Sequence, residues 1–145
     1  MQAEPIATIA HVIQLSVAPV FLLTGIAGLL NVLTGRLARV IDRARVIERD
    51  LMSGDAAEES AAHERLRTLA VRARWINIAI SLCVASAIFV ASVVAVLFSS
   101  AFWGSDYRGL VAGLFISAMA ALIVGLVYFL REISLATSSL RIGRQ

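Results

Sequence analysis

Apolar residues run through this chain in three long blocks separated by charged stretches. The first block extends from about Leu15 to Leu33 with an apolar lead-in from Ile6, the second from Trp75 to Phe98, and the third from about Leu110 to Leu130. None of the three contains Asp, Glu, Lys or Arg. An α-helix rises about 1.5 Å per residue, so about twenty residues cross a hydrocarbon core about 30 Å thick. The pattern predicts an all-α membrane protein with three transmembrane helices, at about 8–34, 75–98 and 109–130.

Between the first two blocks the pattern changes from uniformly apolar to amphipathic. Leu37, Val40, Ile41, Ala44, Ile47 and Leu51 recur at three- and four-residue spacing, and Ala62, Leu66, Leu69 and Ala73 repeat the stripe on a return arm. Arg36, Arg39, Asp42, Arg45 and Glu48 recur beside the first stripe and allow pairs such as Arg39–Asp42 and Arg45–Glu48. Ser53-Gly54-Asp55 reads as a turn in which Gly54 ends one helix and Asp55, with Glu58 three residues on, caps the next. The expected element over 35–74 is an antiparallel helical hairpin that continues helices 1 and 2 into the cytoplasm. Residues 131–145 read as a short helical extension fraying at Gly143.

Composition strengthens this picture. With 145 residues there is room for a single membrane domain over 1–145, and 59% of them are hydrophobic while 16% are charged. Soluble chains run nearer 45–50% and about a quarter. All thirteen basic residues are arginine, and twelve fall either between the first two blocks or after the third. Arg108, beside Asp106, is the exception. The positive-inside rule then puts the N-terminus outside and the C-terminus in the cytoplasm. It also accounts for the net charge of +3, which in a soluble protein would suggest nucleic acid. No nucleic-acid partner is expected. The first block has no basic n-region and is followed by arginines, so it reads as a retained helix rather than a cleaved signal. Trp75 marks the inner interface, and Trp103 with Tyr107 the outer one.

Polar and small residues inside the blocks supply the candidate sites. Gln14, Thr24, Gly28 and Asn31 form a polar seam on the first helix, and Gly35 shares the face of Thr24, Gly28 and Asn31. Polar side chains at bilayer depth must face protein or water. The seam therefore serves either interhelical hydrogen bonding with close packing, or a water-filled path in an oligomer. Pro19 removes a backbone donor and invites a kink, and His11 near the outer interface is either an ordinary interfacial residue or a pH sensor. Gly109, Gly113, Ser117, Ala121 and Gly125 recur every fourth residue, a helix-packing stripe whose partner lies either in the same chain or in a neighbouring one. The arginine runs form a solvated, ion-paired face, or, at Arg36, Arg72 and Arg74, a contact with lipid headgroups. Cys83 lies in an apolar run and reads as a buried structural thiol.

Chemistry is sparse. His11 and His63 are expected on opposite membrane faces, the spans contain no carboxylate, and there is no metal-spaced ligand set, glycine-rich phosphate loop or nucleophile–base arrangement. Neither an enzyme nor a cofactor is expected.

The run Ile13-Gln14-Leu15-Ser16-Val17-Ala18-Pro19-Val20-Phe21-Leu22-Leu23-Thr24-Gly25-Ile26, followed by Leu30-Asn31-Val32-Leu33-Thr34, Arg36-Leu37-Ala38-Arg39 and Asp42-Arg43-Ala44-Arg45, resembles the DUF2721 family of small bacterial membrane proteins. The resemblance covers nearly the whole chain. It implies a bacterial inner membrane and three helices, and it implies no activity and no site residues. Two functions stay open. One is a homo-oligomer whose first helix lines an ion or small-solute channel. The other is a membrane-anchored scaffold whose arginine-rich hairpin binds a cytoplasmic protein partner.

Overall fold

A computed structural model describes residues 3–52, 56–103 and 107–138. Three α-helices account for nearly all of them, and no strand occurs among the described residues. They are α1 (Ala3–Leu51), α2 (Ala56–Trp103) and α3 (Arg108–Ser138). α1 and α2 run without a break from the apolar blocks through the arginine-rich stretches, which are rich in Ala, Leu, Arg and Glu, all strong helix formers. α1 also continues through Pro19. α3 passes the end of its apolar block at Leu130 and continues to Ser138. The Ser53-Gly54-Asp55 turn, the side chains of Glu58 and Trp103, Asp106, and residues 139–145 with Gly143 lie outside the described residues.

All three helices are long and apolar enough to cross a membrane, and only 17–22% of their apolar windows is buried within the chain. The remaining apolar surface points outward, with Phe21, Ile116 and Leu130 among the most exposed side chains. A water-soluble bundle shows the reverse arrangement. This is the make-up of a multi-pass membrane protein.

What the helices do bury follows a seven-residue spacing. In α1 the buried positions include Val12, Pro19, Ile26, Leu33 and Val40. In α2 two interleaved series are buried, Leu69–Ile76–Cys83–Val90 and Ala79–Ser86–Val93. In α3 the series is Ala118–Gly125–Glu132. Seven residues make almost two helical turns, so each series stays on one face, as in knobs-into-holes packing. The buried members are mostly medium-sized or small, which suits close approach of helices in lipid.

The contacts group into two compact units. One comprises Met1–Leu30 with Leu82–Ile123. Its centre is formed by Ile26, Cys83, Ser86, Val90, Val93 and Ala118. There the Ser86 hydroxyl donates to the Ala118 carbonyl at 2.8 Å, a buried hydrogen bond from α2 to α3. The unit also holds a cavity of about 740 Å³, lined by residues including Pro19, Val93, Tyr107 and Phe115.

The other unit comprises Asn31–Ser81 with Val124–Gln145. Leu33, Val40, Leu69, Ile76 and Ala79 form its apolar interior. The Trp75 and Tyr128 rings meet with centroids 5.3 Å apart, tilted by 33°. The expected stripes are half-buried or buried at Leu37, Val40, Ala44, Ile47, Leu51, Ala62, Leu66, Leu69 and Ala73. Ile41 differs and is exposed.

Candidate functional site

Among the described residues, the third helix carries a carboxyl group on its buried face. Glu132 continues the Ala118–Gly125 series and is 1% exposed. A buried carboxylate is tolerable only with charge-assisted partners, and Glu132 has two. Arg36 Nη1 donates to its Oε2 at 2.6 Å, and Arg72 Nη2 donates to its Oε1 at 2.8 Å. One carboxylate thus joins all three helices within the second unit, one oxygen to each guanidinium. The Arg36 guanidinium also lies over the Phe129 ring, 5.4 Å from its centroid, which further fixes its orientation.

Beside this triad is a cavity of about 460 Å³ lined by Arg36, Arg39, Val40, Asp42, Arg43, Leu69, Arg72 and Glu132. Four guanidinium groups there face two carboxylates. Buried Arg72 Nε has no hydrogen-bond acceptor among the described residues. The expected Arg39–Asp42 and Arg45–Glu48 pairs do not occur among the ion pairs of the described residues, whereas Arg36 and Arg72 both converge on Glu132. An exposed helical pair gains only a few tenths of a kcal/mol, too little to hold two long side chains together. Arg36 and Arg72, assigned from sequence to lipid headgroups with Arg74, meet at the carboxylate, whereas Arg74 is exposed and does not line the cavity.

The polar seam of α1 occupies a different place. Gln14, Thr24, Gly28 and Asn31 are all exposed, on the side of the helix opposite the Val12–Pro19–Ile26–Leu33 series. A Cβ added at Gly25, Gly28 or Gly35 would meet nothing within 4 Å. The Thr24 hydroxyl turns back to the Val20 carbonyl at 3.3 Å. His11 is exposed as well, while Pro19 is buried.

The small-residue stripe of α3 divides along its length. Gly109, Gly113 and Ser117 are exposed, Ala121 is half-buried, and Gly125 is buried. A Cβ on Gly109 or Gly113 would meet open space. A four-residue step turns about 40° past a full turn, so a stripe of that period winds round the helix. It meets the buried face only at Gly125. Within the chain the contact is made by Ala118 and Gly125 instead of the start of the stripe.

Sequence reasoning missed Glu132. Its signal lies in the seven-residue series Val111–Ala118–Gly125–Glu132, which marks a charged residue continuing a small-residue contact face. No group of three His, Cys, Asp or Glu side chains that could hold a metal occurs among the described residues. Neither the curated proteins nor the solved structures contain a match to the chain. Its family is nonetheless plain, because residues 16–142 match the model described as "Protein of unknown function (DUF2721)", and the chain belongs to that family.

Proposed function

We propose that this protein is a homo-oligomeric channel subunit of a bacterial inner membrane. In this reading the N-terminus is outside, the arginine-rich ends of α1 and α2 form a cytoplasmic antiparallel hairpin, and α1 lines a path for an ion or small solute. One observation carries it: the Gln14, Thr24, Gly28 and Asn31 face is exposed and turned away from the chain's own buried seam. In lipid those amide groups would lack hydrogen-bond partners, which costs several kcal/mol per unsatisfied group. Neighbouring copies around an axis, with water between them, remove that cost, and the open space at Gly25, Gly28 and Gly35 admits a close approach. Three helices alone cannot enclose a hydrated path. No catalytic step and no cofactor belong to this function.

The test combines mass and flux. The purified protein in nanodiscs should have the mass of a ring of four or more copies, and liposomes containing it should leak small ions. Asn31→Leu should abolish the leak. A monomeric mass, or flux unchanged by Asn31→Leu, overturns the reading.

A scaffold role is favoured by a different observation. Val46 is 52% exposed beside a groove lined by Asp42, Arg43, Val46, Ile47, Arg65, Thr68 and Leu69. Such a groove, apolar with basic edges, suits an acidic amphipathic segment of a partner protein. Charge reversal at Arg39 and Arg43 should release that partner without affecting flux.

A further inference from the structure

The cavity beside Glu132 is not balanced in charge. Arg36, Arg39, Arg43 and Arg72 line it against Asp42 and Glu132, leaving an excess of two positive charges. Glu132 engages one nitrogen each of Arg36 and Arg72, and the buried Nε of Arg72 has no acceptor among the described residues. Each of the two guanidinium groups keeps further N–H donors beyond the nitrogen that Glu132 engages. Val40 and Leu69 form the apolar part of the wall, both buried. The same unit holds the Trp75–Tyr128 ring pair and the end of the third apolar block at Leu130. Aromatic rings at the end of an apolar block mark the headgroup level of a bilayer.

We infer that this cavity binds a phosphate-bearing anion, either the headgroup of an acidic phospholipid or free phosphate. The class follows from the donors. Guanidinium groups present forked N–H pairs that match phosphate oxygens, and they keep their charge at any physiological pH. Glu132 holds Arg36 and Arg72 in place before the ligand arrives, so less side-chain freedom is lost on binding. Arg39 and Arg43 complete the site as exposed groups outside the ion pairs with Glu132. Basic pockets between membrane helices are a general means of holding lipid headgroups. This site is separate from the polar face of α1, so the two proposals stand or fall independently.

The experiment is calorimetric titration of the whole purified chain in neutral detergent. The probes are inorganic phosphate, short-chain phosphatidylglycerol, and phosphatidylcholine as the zwitterionic control. Arg39→Gln and Arg43→Gln should each weaken binding about tenfold, the loss of one charge-assisted contact, while the thermal melt stays in place. Arg72→Lys, which keeps the charge and removes the forked guanidinium, should also weaken it. Saturable binding of phosphatidylglycerol alone supports a lipid ligand, and binding of inorganic phosphate as well supports phosphate itself. Binding of neither, equal binding of phosphatidylcholine, or affinities unchanged in Arg39→Gln and Arg43→Gln would overturn the inference.

Discussion

The two units use the same helix positions for opposite purposes. In the first, Ser86 of α2 meets Ala118 of α3 through one neutral hydrogen bond. In the second, Arg72 of α2 meets Glu132 of α3 through an ion pair. Arg72 precedes Ser86, and Glu132 follows Ala118, each by two seven-residue repeats. What differs is the surroundings each layer must suit. Among apolar blocks, an uncharged hydroxyl bonded to a carbonyl is the most polar contact that carries no ionic desolvation penalty. Where the arginine-rich segments begin, a carboxylate can be buried because two guanidinium groups arrive with it. One geometric repeat therefore accommodates both contacts, and local polarity decides which one occupies it.

The largest test of this comparison is at Glu132. Glu132→Gln leaves Arg36 and Arg72 without their counter-charge and should destabilise the protein by about 3 kcal/mol, read from the melting temperature in detergent. A loss below about 1 kcal/mol would mean the triad is no stronger than an exposed pair. Next is Ala118→Leu, which forces a larger side chain into a fully buried position and should cost about 2 kcal/mol by the same measurement. Ser86→Ala removes only the neutral bond and should cost about 0.6 kcal/mol, in line with membrane hydrogen bonds generally. If Ser86→Ala proved as damaging as Glu132→Gln, the contrast between the layers would fail. The smallest effect is expected at Gly113→Ala. Its new methyl meets nothing within 4 Å, so helix propensity alone should act and stabilise by about 0.5 kcal/mol.

The spans were legible because their signal is summed over about twenty residues, and no single position decides it. The continuity of α1 and α2 was legible too, since no proline and no run of turn residues interrupts the segments that follow Leu33 and precede Trp75. Glu132 was not. Next to Arg131 at the end of an apolar block, it looks like any charge at a membrane border. Its burial emerges only from the seven-residue series of α3, which hydropathy, an average over a window, does not register. At Gly109 and Gly113 the spacing reads as a small-residue stripe and leaves open whether its partner lies in this chain or a neighbouring one; both are exposed, because a four-residue period does not stay on the face that the helix buries.

Seams that repeat every seven residues have an inherent ambiguity, because sliding one rod by a heptad presents nearly the same shape to its neighbours. Ala118 and Gly125 would tolerate such a slip with little complaint. The carboxylate at Glu132 would not, since a shift of about 10 Å along the axis carries it out of reach of both guanidinium groups. The triad thus acts as an index pin that permits a single axial alignment. Replacing all three charges together, as Arg36→Leu, Arg72→Leu and Glu132→Leu, should leave helices with several alignments within this unit, detectable as scattered cross-links between cysteines engineered along its stretches of α2 and α3.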